Sequence, residues 1–184
     1  MVPGKVRIIA GEWRRRKLDV VDATGLRPTP DRVRETLFNW LAPHIEGAHC
    51  LDLYAGTGIL GFESLSRGAA TATLVDSNPA VVKMLETQAK KLETDSAEII
   101  CTDARQWMKH NRKQFDIVFL DPPYSKNELA GIVAGLLESG MLRRGALLYI
   151  ESDGEFSTDD PRLSCLKSGQ AGVVNFRLFE YSGS

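Results

Sequence analysis

Cysteine is scarce in this chain of 184 residues, and its three cysteines, Cys50, Cys101 and Cys165, are odd in number and far apart. With no CxxC pair among them, neither a disulfide framework nor a paired-cysteine metal site fits. They read as small apolar core residues in a reducing compartment. Histidine is equally rare: His44, His49 and His110 share no helical or metal-ligand spacing with any cysteine, so no metal is assigned. No apolar run approaches the length that crosses a bilayer, and the start lacks the apolar stretch of a signal peptide. A cytoplasmic protein with no membrane partner is expected. Internal repeats and low-complexity segments are absent too, which excludes solenoids and biased linkers.

Charge of one sign is also missing overall, with 23 Lys and Arg against 24 Asp and Glu. The balance hides an asymmetry. Up to Arg34 there are nine cations, among them Arg14, Arg15, Arg16, Lys17, Arg27 and Arg32, against the four acids Glu12, Asp19, Asp22 and Asp31. A basic arm on a mildly acidic body suits a polyanionic partner met at one end. The length suits a single domain over 1–184, with 1–25 as a basic hairpin extension and 26–184 as the core.

The segments 6–10 and 13–18 read as strands around Gly11-Glu12, a pair suited to a two-residue type II′ turn. Trp13, Arg15 and Lys17 alternate with Arg14, Arg16 and Leu18, so neither face is cleanly apolar and the hairpin is a poor core element. It would suit a phosphate backbone; the plainer alternative is a solvated hairpin held by Trp13 alone. Thr29 is placed as the N-cap of the next helix, with Pro30 at its first position. Val33, Leu37, Trp40 and Leu41 form its apolar stripe. Arg27, Arg32 and Arg34 lie near its start; Arg32 and Arg34 fall off the stripe and would face water or an anionic substrate.

Strand and helix patterns then alternate. Strands are expected near 49–54, 71–76, 97–101, 115–120 and 145–151, and helices near 58–67, 78–92, 104–112 and 127–139. This is the pattern of an α/β, Rossmann-like fold: a mostly parallel sheet with helices on both faces. The tail, 163–167 and 173–181, reads as an antiparallel hairpin at the sheet edge.

Chemistry concentrates where strands end. After the first core strand, Asp52-Leu53-Tyr54-Ala55-Gly56-Thr57-Gly58-Ile59-Leu60-Gly61 is a glycine-rich turn into a helix. It fits a dinucleotide fingerprint as well as another adenosine ligand. Asp52 favours the second. A carboxylate there suits a ligand with a cationic amino-acid end, such as S-adenosylmethionine, and is a poor neighbour for a pyrophosphate. Asp76, followed by Ser77, ends the second strand and suits ribose hydroxyls; Asp103, followed by Ala104, suits an adenine amine. In Asp121-Pro122-Pro123-Tyr124 the prolines stop a buried strand, leaving a carboxylate, the Pro122 carbonyl and an aromatic ring together. That set suits a planar base carrying an exocyclic amine.

These residues resemble the RsmD-like 16S ribosomal RNA guanine-N2 methyltransferases, class I enzymes using S-adenosylmethionine. The likeness runs through Arg7-Ile8-Ile9-Ala10-Gly11, 26–41, the glycine loop, Leu65-Ser66-Arg67-Gly68-Ala69 and Asp121-Pro122-Pro123-Tyr124. The stretch 27–41 is the most specific; the Asp-Pro-Pro-Tyr motif is shared with DNA adenine methyltransferases. Arg15 stands where the family commonly has glycine. The resemblance implies that residues 121–124 hold the target guanine. It implies that Asp52, Ala55, Gly56, Thr57, Gly58, Asp76, Ser77, Asp103 and Ala104 surround the cofactor. The implied substrate is 16S rRNA, within a small ribosomal subunit or its assembly intermediate. The competing readings are an N6-adenine DNA or RNA methyltransferase, a nicotinamide oxidoreductase and a non-catalytic RNA-binding module.

Overall fold

The computed structural model describes residues 4–20, 30–122, 126–152 and 156–183. In chain order they form β1 (Lys5–Arg7), β2 (Lys17–Asp19), α1 (Asp31–Leu41), β3 (His49–Asp52), α2 (Ile59–Ser66), β4 (Thr71–Asp76) and α3 (Pro79–Leu92). Then come β5 (Ala97–Cys101), α4 (Ala104–His110), β6 (Phe115–Leu120), α5 (Lys126–Glu138), β7 (Leu142–Ser152), β8 (Leu163–Ala171) and β9 (Val174–Tyr181).

The main sheet runs β5-β4-β3-β6-β7-β9-β8. Its first five strands are parallel; β9 runs antiparallel to β7, and β8 antiparallel to β9. The chain order reverses between β3 and β6, and open α/β sheets bind ligands outside strand ends at such a point. Strand alternation sorts the core into two layers. Cys50, Leu74, Ile117, Phe119, Leu147 and Tyr149 face α1, α2 and α3. Leu51, Val75, Val118, Leu120, Leu148 and Ile150 face α4 and α5. Phe115 breaks the alternation by joining the second layer, because β6 shifts register against β7 between Phe115 and Ile117.

Several expectations are corrected. The tail strand β8 continues through Ala171, so the hairpin closes on Gly172-Val173, with Gly172 at φ +63°. Pairing of 168–171 with β9 outweighs the weak strand preference of their glycine. Only Cys50 is buried. Cys101 ends β5 and Cys165 lies on β8, the two outermost strands, and both are exposed. Helix α1 begins at Asp31 with Pro30 as its cap, and Thr29 lies outside the described residues. Its buried face is Val33, Arg34, Leu37, Phe38 and Leu41, while Trp40 is half-buried against Phe176 at 5.5 Å between ring centroids.

The N-terminal hairpin differs most. The strands proper are three residues each, Val6 and its neighbours against Leu18 and its neighbours, with Ile8 N–H donating to the Arg16 carbonyl and Arg15 N–H to the Ile8 carbonyl at 2.9 Å beyond them; nine residues, instead of a two-residue turn, connect β1 to β2. The backbone of that connection bonds to α2. Ile9 and Ala10 N–H donate to the Glu63 carboxylate at 2.8 and 3.0 Å, Glu12 N–H to the Ser66 carbonyl at 2.8 Å and Trp13 N–H to Ser66 Oγ at 2.9 Å. Gly11 sits so close to the Ser66 carbonyl that a Cβ would lie 1.7 Å from its oxygen. Val6, Ile8, Trp13 and Leu18 are all buried in the α1–α3 layer, so the hairpin is a core element after all. Arg15 has φ +70°, a left-handed conformation that glycine adopts without strain, which is why a glycine would suit that position better.

Candidate active site

The site begins with the turn after β3. Gly56 and Gly58 have φ +49° and +74°. A Cβ on Gly58 would also meet Leu85 at 2.4 Å and Phe62 at 2.8 Å, so the turn fits only glycine there. Gly61 lets α2 press on β4, with Leu74 3.0 Å from where its Cβ would be. The Asp76 carboxylate braces the turn from the next strand: Gly56 N–H donates to Oδ2 at 3.0 Å and Asn78 N–H to Oδ1 at 2.8 Å. Ala55 N–H donates to the Val75 carbonyl, while Thr57 and Gly58 are buried beneath the turn. Ser77 is exposed beside Asp76. Asp103 caps α4, accepting from Gln106 N–H at 3.0 Å, with buried Ala104 next to it.

Asp52 is 3% exposed and accepts from the backbone N–H groups of Tyr54 and Gly61. Burial, followed by the charge of Asp76, pushes its carboxyl up to about 7 against the opposing pull of those bonds. Because the folded state holds this proton more tightly than the unfolded chain, its contribution is full below about pH 4. It is lost as pH rises through about 7. Thermal unfolding at pH 5 and pH 8 should therefore show a gap, on the order of a few kcal/mol at most, that narrows in Asp52→Asn. An equal gap in both proteins would remove Asp52 as its source.

The four strand-end acids are staggered along the strand direction. Asp52 pairs with Leu74 on one side and Phe119 on the other, and Asp76 pairs with Cys101. Asp76 and Asp121 therefore stand two residues beyond Asp52, and Asp103 two beyond those, roughly 7 Å per step. Asp121 and Pro122 are half-buried immediately after β6, beside the glycine turn across the switch point. Pro123 and Tyr124 lie outside the described residues.

Of the basic candidates, Arg14, Arg15, Arg16 and Lys17 are exposed on the hairpin and Arg32 is exposed on α1; Arg27 lies outside the described residues. Arg16 Nη1 donates to the Lys91 carbonyl at 3.0 Å, which ties the arm to the end of α3. Arg34 is corrected. It is 0% exposed, donates to the Arg7 carbonyl at 3.0 Å and pairs with Asp31 at 2.5 Å and Glu63 at 3.5 Å. A guanidinium so enclosed is structural and does not face phosphate. Its spacing to Leu37, Phe38 and Leu41 is the signal that places it inward. Glu63, Ser66 and Glu151 are further polar groups on which the site's surroundings depend, and the sequence alone did not single them out.

An open cleft of about 560 Å³ lies at the opposite end of the strands, lined by His49, Thr73, Glu98, Lys113 and Arg143. Its charges neutralise one another: Lys113 and Thr73 bond Glu98, and Arg143 bonds Asp116. It sits at the starts of the strands, away from the acids.

The strand order, the glycine turn after the first core strand and the antiparallel tail define the Rossmann-like fold of class I methyltransferases. The family model described as conserved hypothetical protein 95 matches residues 6–180, and the chain belongs to this RsmD-like family. It is 42% identical over 182 residues to the ribosomal RNA small subunit methyltransferase D of Haemophilus influenzae, covering 96% of this chain and 94% of that protein. It is 44% identical over 179 residues to the protein of the same name from Escherichia coli, covering 96% and 90%. The solved structure of the Escherichia coli protein yhhF superposes with a TM-score of 0.91 at 42% identity, covering 98% of this chain and all of that one. No helix among the described residues is long and apolar enough to cross a membrane.

Proposed function

We propose that this chain transfers a methyl group from S-adenosylmethionine to the exocyclic N2 amine of a guanine in 16S rRNA, within the small ribosomal subunit or an assembly intermediate. The observation that carries this is the juxtaposition, at one switch point, of the glycine turn over a buried Asp52 with Asp121 and Pro122 at the adjacent strand end. The family and its rRNA methyltransferase members support RNA of the small subunit as the substrate class.

The residues fit the cofactor. The turn admits no Cβ at Gly58 because it is seated on Leu85 and Phe62, which holds the glycine loop close above Asp52, and Asp52, short of positive partners, suits a cationic amino-acid end. Asp76, held by two backbone donors, keeps lone pairs for ribose hydroxyls. Asp103 and Ala104 would flank the adenine. When bound, S-adenosylmethionine supplies an electrophilic sulfonium methyl group. The guanine amine is a weak nucleophile because its lone pair is delocalised. Asp121 and the Pro122 carbonyl, by accepting its two hydrogens, favour pyramidalisation and aim the lone pair. The methylated nitrogen is transiently cationic and acidic, so Asp121 serves as orienter and electrostatic stabiliser, with no strong base needed. Tyr124 stacks on the base, offsetting about 1–3 kcal/mol of unstacking.

Asp76→Ala should weaken S-adenosylmethionine binding by about 1.5–3 kcal/mol in a calorimetric titration. Because Asp76 also braces the glycine turn, the apo protein should lose a few degrees of melting temperature as well. Unchanged affinity would remove Asp76 from the site.

The exposed Arg14, Arg15, Arg16 and Lys17 would meet phosphates. Replacing all four by alanine should weaken RNA or particle binding and flatten its salt dependence, by roughly one unit of log–log slope per contact at most. Cofactor affinity should hold. Unchanged affinity and slope would leave the arm as surface charge.

Incubation of the purified protein with methyl-tritiated S-adenosylmethionine and total RNA from a deletion strain tests the whole proposal. Label is expected in small-subunit RNA; label confined to large-subunit or transfer RNA would refute it.

A further inference from the structure

Beside Asp121 stands an acid that the mechanism above does not use. The parallel ladder of β6 and β7 ends at Leu120↔Ile150, so Asp121 and Glu151 are the next residues along the two neighbouring chains, and the charges of both act on Tyr149. Strand alternation puts Glu151 on the same sheet face as Tyr149 and Phe119. It is 6% exposed, so its carboxylate is largely removed from water. The buried Tyr149 hydroxyl donates to its Oε1 at 2.7 Å and so orients it from below. Burial first, then the charges of Glu151 and Asp121, keep that hydroxyl protonated far above the usual phenol range. The charge of Glu151 also raises Asp52. Its field therefore reaches Asp52 across the switch point, and it meets that of Asp121 at the Tyr149 hydroxyl.

Guanine presents two kinds of donor along one edge: the N2 amine, which is methylated, and the adjacent N1–H. Adenine has a bare lone pair at its N1. One carboxylate and one carbonyl, at Asp121 and Pro122, are occupied by the amine. Resting on the guanine assignment above, we infer that Glu151 is the specificity-determining residue that accepts the N1–H of the target guanine. A carboxylate has about four lone-pair sites, so the bond from Tyr149 is compatible with a further donor. A buried carboxylate facing an N1 lone pair would be repelled, which rejects adenine and any purine whose N1 is unprotonated. Tyr149 is then a positioning residue, holding the acceptor in place from inside the core.

The test uses the full chain and an acceptor RNA in which the mapped target guanine is replaced by 2-aminopurine, which keeps the 2-amine but has a lone pair at N1. The wild-type kcat/KM should favour guanine by about 10²-fold or more, as for sites built around one hydrogen bond. Glu151→Gln can still accept from Tyr149 through its amide oxygen, but it offers an N–H toward N1. The guanine to 2-aminopurine ratio, measured at saturating cofactor because the substitution also removes a charge acting on Asp52, should therefore fall about tenfold or more. A merely structural role would lower both substrates equally and leave the ratio alone, which would overturn the inference. If the variant does not fold, the wild-type ratio decides: equal rates on the two RNAs would overturn it without any substitution. Label on a base other than guanine would defeat the guanine assignment itself, whereas label on guanine with an unmoved ratio would defeat only the role of Glu151.

Discussion

Asp121→Ala should bind S-adenosylmethionine nearly as tightly as the wild type while losing single-turnover methyl transfer by ~10²-fold or more, the loss typical of a transition-state stabiliser. The reason lies in its position. Asp121 follows β6, across the switch point from the glycine turn, whereas the residues assigned to the cofactor stand on β3, β4 and β5 and the turns after them. Removing its carboxylate leaves the turn, Asp52 and Asp76 in place. What is lost is an acceptor whose bond to the amine strengthens as that nitrogen becomes cationic, so the rate falls and ground-state binding hardly changes. Asp121→Asn should retain part of the rate, since its amide oxygen still accepts one hydrogen bond. A near wild-type single-turnover rate in the alanine variant would remove Asp121 from the chemistry. Weakened cofactor binding with an unchanged chemical step would move it to the cofactor's side of the site.

The largest stability effect is expected from a residue far from the chemistry. Glu63 is 0% exposed, and its carboxylate accepts from Ile9 N–H, Ala10 N–H, Arg34 and Arg67. Arg67 in turn lies over the Phe38 ring, 4.7 Å from its centroid. Glu63→Ala would leave the fully buried Arg34 without its main interior counter-charge and two hairpin N–H groups without acceptors. The cost should be about 3–5 kcal/mol, as when one partner of a buried ion pair is removed. That is a fall of roughly 6–20 °C in melting temperature for a domain of this size. The double replacement Glu63→Leu with Arg34→Met should recover the part of the loss that comes from the bare buried charge, but not the part from Ile9 and Ala10 N–H, which still lack an acceptor. The hairpin should also become accessible to protease in Glu63→Ala. A loss below about 1 kcal/mol, the range of a surface pair, would show that the buried network does not hold the arm.

How far the fold could be read in advance depended on where each segment finds its hydrogen bonds. The apolar runs 71–76, 97–101 and 115–120 became strands over those same residues, and the helices after them were placed within two residues or so. There local pattern and tertiary packing agree. The hairpin was misread because the backbone groups of 9–13 bond to residues more than fifty positions away on α2, which no local pattern reports. Arg34 was misread for a simpler reason. Its charge outweighed its spacing, although spacing alone places it on the face of Leu37, Phe38 and Leu41. Of the site, the glycine turn and the strand-end acids were visible as residue types at strand ends. Two features needed the structure: the second duty of Asp76 as a brace and of Asp103 as a cap, and the β6–β7 register that brings Glu151 to the strand end next to Asp121.

The most direct test of the central claim is the identity of the modified nucleoside. Small-subunit RNA or particles from a deletion strain would be methylated by the purified protein, digested to nucleosides and resolved by chromatography with mass detection. The account predicts a single new product, N2-methylguanosine, that does not form with Asp121→Ala over the same time. Methyl groups appearing on adenine N6, or on any guanine atom other than N2, would contradict it.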